Sequence, residues 1–78
     1  MKLKLPTDSV EKVNSVKAGA MIREARNKHG ISLRALAAEM KISFPYLSDL
    51  ELARRGWSEN LFTLAALSIE KLKHQNKT

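Results

Sequence analysis

The sequence predicts an all-α fold of four or five short helices around one small core. Three observations point there. Apolar residues recur three and four positions apart in separate stretches, the spacing that gathers them on one helix face. Serines and a glycine stand at the boundaries of those stretches, where helix starts and stops use them. Two of the stretches are short and separated only by a tight turn.

Met1 to Leu5 alternates lysine and leucine, the period of a strand, and Pro6 ends it. One short strand cannot stand alone. The segment is read either as a disordered basic arm or as an edge that pairs with another chain. Thr7, Asp8 and Ser9 suit a turn or a helix start. Val10, Val13 and Val16 follow at helical spacing, so the first helix begins near Ser9 or near Ser15. The preferred span is Val16 to Lys28, offering Val16, Ala20, Met21, Ile22 and Ala25 to the core. Gly30 stops it in left-handed geometry. His29 lies in its last turn, where a donor or cation suits the helix C-terminus.

The stretch Ser32 to Arg55, SLRALAAEMKISFPYLSDLELARR, carries the most information. Leu33, Leu36, Ala37 and Met40 share one face of a helix spanning Leu33 to Met40, with Ser32 as its cap. A second helix begins at Ser43, with Pro45 in the first turn, where its missing N–H costs little. Tyr46, Leu47 and Leu50 form its apolar set, and Glu51 closes it. Two short helices joined by a turn of three or four residues make the helix-turn-helix unit, which sets its second helix into the DNA major groove. Arg54 to Trp57 then reads as a loop. Ser58 caps a final stretch in which Leu61, Phe62, Leu64, Ala65, Ser68, Ile69 and Leu72 keep helical periodicity. That stretch is one long helix or two nearly continuous ones. Trp57, just before Ser58, is expected to close the core in a staple with Phe62. The other reading is an exposed anchor in a dimer interface.

The pieces IREARNKHGISLRALA, MKISFPYLSDLE and ARRGWS resemble the phage repressor and Cro type of helix-turn-helix, the xenobiotic-response-element (XRE) family. The resemblance runs from Val16 to about Leu67. It implies a lambda-repressor-like fold and DNA binding. It also implies that Arg26, matching a helix-1 arginine of the family, pairs with Glu51. Ala37 and Leu47 match the small and branched positions that let the two helices cross closely. Two positions depart from the pattern. Lys41 stands where the family usually has a glycine, at a turn position that tends to positive φ and costs a residue with a Cβ about 1 kcal/mol. Ala53 replaces another frequent glycine, so the second helix is expected to run up to a turn longer.

Composition agrees. The chain is read as one domain: an arm over 1–15, the helix-turn-helix domain over 16–72 and a polar, fraying tail over 73–78. Lysine and arginine outnumber aspartate and glutamate by 14 to 8, a net charge of +6 that favours a polyanionic partner. There is no cysteine, hence no disulfide framework and no thiolate metal site. That fits a reducing cytoplasm, and a nucleoid-associated location follows from the DNA reading. No apolar run approaches the ~20 residues that span a bilayer, so no membrane partner is expected. MKLKL is too short and too interrupted by lysine for a signal peptide.

The expected DNA-binding residues fall in two groups. Ser43, Phe44, Pro45, Ser48 and Asp49 lie at the start and on the outer face of the second helix, where family counterparts touch base edges. The set lacks the arginine, asparagine and glutamine that make bidentate base contacts. Phe44 and Pro45 suit thymine methyl groups, and Asp49 suits a cytosine amino group or discourages wrong sites. Phe44 is read equally well as a core residue. Tyr46 is expected half-buried, with its hydroxyl near a phosphate. Around this helix stand Arg34, Lys41, Arg54 and Arg55, with Ser32 and Ser43 marking helix N-termini suited to phosphate.

A catalytic reading finds no support. His29 and His74 are far apart and in no metal-ligand spacing, there is no glycine-rich phosphate loop, and Glu24, Glu39, Glu51 and Glu70 are scattered. No cofactor is expected. The sequence therefore predicts a sequence-specific DNA-binding transcriptional regulator, most simply a repressor, acting as a homodimer on a near-palindromic double-stranded operator. The rival is a protein-binding module, an antitoxin or adaptor on the same fold. The dimer face is expected on the C-terminal helix (Leu64, Leu67, Leu72) ahead of the arm Met1 to Leu5.

Overall fold

The computed structural model describes residues 7–9 and 12–75. Two very short strands come first, β1 (Thr7–Ser9) and β2 (Lys12–Val13), paired antiparallel with Thr7 opposite Val13. Four helices follow among the described residues: α1 (Ser15–Lys28), α2 (Leu33–Met40), α3 (Phe44–Glu51) and α4 (Glu59–Gln75). The helical bundle is all-α, as expected. The helical reading of Val13 is corrected, since that residue belongs to β2. Asn14 is the reason. It holds an extended backbone, and its side-chain oxygen accepts from the Lys17 N–H at 3.0 Å, so α1 starts after it. Val10 and the expected strand Met1 to Leu5 lie outside the described residues.

Local chemistry explains the helix starts. Ser32 Oγ accepts from Ala35 N–H at 3.0 Å, Ser43 Oγ from Tyr46 N–H at 3.2 Å, and Ser58 Oγ from Leu61 N–H at 3.1 Å. Each satisfies one of the orphan donors of a first turn. Pro45 stands in the first turn of α3. The last stretch is a single helix. It continues through Lys73 and His74, because nothing inside it breaks the hydrogen-bond ladder.

The first three helices end alike. Gly30 N–H donates to Asn27 C=O and Ile31 N–H to Arg26 C=O. Lys41 and Ile42 repeat the pattern onto Ala38 and Ala37, and Ala53 and Arg54 onto Leu50 and Asp49. This paired closure is the Schellman motif, which needs a left-handed residue at its hinge. The hinge residues are Gly30 (φ 67°), Lys41 (φ 61°) and Ala53 (φ 63°). Lys41 thus takes the conformation expected of it. The expected extension of α3 past Ala53 does not occur: α3 stops at Glu51, because the chain accepts left-handed strain at Ala53 to close the carbonyls of Leu50 and Asp49.

The core lies between α1, α2, α3 and α4, with Ile22, Leu36, Leu47, Leu50 and Ile69 fully enclosed and Ala37, Trp57, Phe62 and Ala65 around them. Met21 packs half-buried at its edge. The buried face of α1 is Ala18, Gly19, Ile22 and Ala25, which corrects the expectation for Val16 and Ala20. Each of those two is two residues, about 200° of helix, away from Ala18 or Ile22, so they face solvent. Val16 is 69% exposed.

Gly19 is where α1 meets the end of α3. A Cβ built there would lie 2.6 Å from the Glu51 carbonyl oxygen and 2.7 Å from that of Leu50. Gly19→Ala therefore reverses the usual sign. Alanine normally favours a helix over glycine by about 1 kcal/mol. Here backbone must move, and denaturant unfolding is expected to show a loss of about 1–3 kcal/mol. Ala53→Gly should do the opposite, gaining about 0.5–1 kcal/mol by relieving left-handed strain. An unchanged midpoint for either variant would contradict this account of the α1–α3 contact or of the α3 hinge.

Candidate nucleic-acid interface

The position of α3 is set at its C-terminal end. Arg26 Nε donates to Glu51 Oε2 and Arg26 Nη2 to Glu51 Oε1, both at 2.9 Å. Arg26 Nη1 also reaches the Ile31 carbonyl at 3.1 Å. The pair implied by the family resemblance is therefore present and bidentate. The Glu51 side chain is 5% exposed and that of Arg26 13%. Such a fork fixes direction as well as distance. Beneath it, the Trp57 indole N–H donates to the Leu50 carbonyl at 2.9 Å, and the Trp57 backbone N–H donates to Ser15 Oγ at 2.9 Å. The Trp57 ring meets Phe62 edge-on at 5.9 Å, as the staple requires. Trp57 is buried, so its reading as an exposed dimer anchor is overturned.

With its inner face committed, α3 turns Ser43, Phe44 and Pro45 to solvent and leaves Tyr46, Ser48 and Asp49 half-buried. The core reading of Phe44 fails, since its ring is 39% exposed. The arginines are organised by this helix. The Arg34 guanidinium lies over the Phe44 ring, 4.8 Å from its centroid. The Arg55 guanidinium lies over the Tyr46 ring at 5.6 Å. Asp49 takes Arg54 at 3.8 Å and Arg55 at 3.9 Å. These contacts are loose and solvated, each worth a fraction of 1 kcal/mol to about 1 kcal/mol. They still give each arginine a preferred place. Lys41 is exposed at the turn and has no ion-pair partner among the described residues.

The two helix N-termini differ as anion sites. In α2 the serine cap takes Ala35 N–H, which leaves Leu33 and Arg34 N–H without a partner among the described residues. In α3 the cap takes Tyr46 N–H, Pro45 has none, and only Phe44 N–H remains. The α2 start therefore presents more unpaired N–H groups than the α3 start. Sequence reasoning treated the two alike and also missed Gly19, the Ser15–Trp57 bond and both arginine–aromatic pairs. A glycine inside a helical pattern was the one available signal, since it often marks close packing.

Two acidic residues elsewhere are engaged. Glu39 of α2 pairs with Lys71 of α4 at 3.0 Å, and Glu70 pairs with Lys73 at 3.2 Å and His74 at 3.3 Å. No group of three or more possible metal ligands occurs among the described residues. No helix there is long and apolar enough to cross a membrane.

Two short helices joined by a tight turn, the second latched to α1 by a buried fork and presenting a polar-aromatic face between arginines, define a helix-turn-helix domain of the kind that binds DNA. Residues 22–58 match the family model described as helix-turn-helix, and that segment is similar to the XRE-type helix-turn-helix of DNA-binding regulators. No curated protein matches the chain.

Because Glu51 is buried against a charge, removing it strands Arg26. Glu51→Ala should cost about 3–5 kcal/mol. At about 4–8 °C per kcal/mol for a domain this size, the melting temperature should fall by at least ~12 °C. Melting at the wild-type temperature would show that the fork does not hold the helices.

Proposed function

We propose that this protein is a sequence-specific transcriptional regulator, most simply a repressor, that binds operator DNA with α3 in the major groove. One observation carries the reading: the outer face of α3 is exposed and flanked by arginines while its inner face is locked to α1. In this reading Ser43, Phe44, Pro45, Ser48 and Asp49 face base edges, and Tyr46 reaches toward the backbone. Lys41, Arg54 and Arg55 contact phosphates, and the α2 start at Ser32 to Arg34 holds another through its free N–H groups. Asp49 shares Arg54 and Arg55 with the phosphates, which tempers their general affinity. Such a protein works in the cytoplasm, on the nucleoid. It needs no cofactor and does no catalysis.

One such helix reads only a few base pairs, so we assign function to a homodimer on half-sites about one helical turn, ~34 Å, apart. Exposed Leu64 (39%) and Leu67 (63%) on α4 support that surface. Leu72 is half-buried against the core, so it belongs to the face only in part.

Two measurements check this. Arg54→Ala and Arg55→Ala should weaken binding to all duplexes alike. Each should flatten the salt dependence of log K by about one unit for every phosphate that the missing arginine had neutralised. A change of preferred sequence with an unchanged salt slope would reverse these roles. A chain that binds no duplex in a salt-dependent way would favour the protein-binding module instead. Sedimentation at micromolar concentration should show a dimer that Leu67→Lys converts to monomer. A wild-type monomer that holds one half-site tightly would defeat the dimer.

A further inference from the structure

We infer that Arg34 and Phe44 form one composite reader of a thymine–guanine step, with Phe44 on the thymine C5-methyl group and Arg34 on the guanine O6 and N7. The inference rests on the DNA-binding reading above and names the base-pair chemistry that the site takes.

The recognition helix supplies no guanidinium or carboxamide from its own outer face, so by itself it has no bidentate reader. The structure brings one in from α2. Arg34 leans over the Phe44 ring at 4.8 Å, ahead of the first turn of α3. Unlike Arg26, Arg54 and Arg55, it has no carboxylate or carbonyl partner among the described residues. Its cationic face is used by the aromatic ring, and its N–H edges stay open to accept a partner. A guanidinium resting over a ring in this way has a preferred place before binding, and the guanine major-groove edge matches its fork.

Phosphate contact is the competing role for an exposed arginine. Here the backbone N–H groups of Leu33 and Arg34 already offer a phosphate site at the α2 start, which frees the Arg34 side chain to reach inward. Phe44, 39% exposed beside Pro45, is the adjoining apolar surface. A methyl-bearing pyrimidine next to guanine presents an apolar group and two acceptors side by side in the major groove, the same pairing of surfaces that Phe44 and Arg34 present. Uracil or unmethylated cytosine lacks the first part and adenine the second.

The test uses the full chain. Duplexes bound from a random pool are sequenced, and the enriched duplex is then titrated with wild type, Arg34→Lys and Phe44→Leu. The enriched sequences should hold a thymine–guanine step at a fixed place in each half-site. Replacing that thymine by uracil should weaken wild-type binding about threefold to fourfold, the value of one methyl group. Replacing the guanine should weaken it roughly tenfold or more. Arg34→Lys keeps the charge but neither the planar fork nor the stacking on Phe44, so it should keep affinity for random duplex and lose much of the guanine preference. Phe44→Leu should lose it as well, by releasing the guanidinium. A pool with no such step, a uracil duplex bound as tightly as thymine, or an Arg34→Lys protein with its preference intact would overturn the inference while leaving DNA binding in place. Failure to enrich any duplex would overturn the DNA-binding reading itself.

Discussion

The rest of the structure depends on how Glu51 is used. Its backbone carbonyl presses on Gly19 and its carboxylate is taken by the fork of Arg26. Gly19 and Arg26 are seven residues apart, two turns of α1, so both fall on the stripe that also carries Ile22. The stripe runs from a residue with no side chain, through one that fills the core, to one that reaches out and grips. Only at Gly19 can the backbones approach closely enough for the fork to close without stretching. The third arginine bond, to the Ile31 carbonyl, ties the start of α2 into the same joint. One polar cluster thereby fixes three helices relative to each other, which a core this small could not do by apolar packing alone.

The helix boundaries were legible because each has a local chemical cause. Ser32, Ser43 and Ser58 cap, Gly30 stops, and Pro45 is harmless in a first turn. The Arg26–Glu51 pair came from family resemblance and not from spacing, since nothing local connects residues 25 positions apart. The misreadings were of two kinds. At Val13, a three-residue repeat of valines imitated a helix, although valine serves a strand equally well, while Val16 is helical but faces solvent. At Ala53, the missing glycine suggested a longer helix. Alanine's helix preference over glycine is worth only about 1 kcal/mol, and closing two carbonyls outweighs it.

The site was legible in composition and not in arrangement. Sequence order places Arg34 ten residues from Phe44 and Arg55 nine from Tyr46, and no periodicity rule links residues across a turn. Only the crossing of α2 and α3 brings the first pair together, and only the hinge at Ala53 turns the loop back for the second. Asp49 looked like a lone base-reading acid, whereas it lies between two arginines of that returning loop. The outer face of α3 is thus partly neutralised and partly stacked before any partner arrives, an arrangement that favours selectivity over raw attraction.

Trp57 is the sole tryptophan of the chain, and its indole N–H is bonded to the last turn of the recognition helix. The protein therefore contains its own optical probe, in the one place where loosening of that helix must first be felt. A buried indole bonded to a carbonyl emits at shorter wavelength than one in water. Its emission reports the seating of α3 separately from the helix content that circular dichroism follows. Any ligand, salt or substitution that unlatches α3 while leaving the helices formed would separate the two signals.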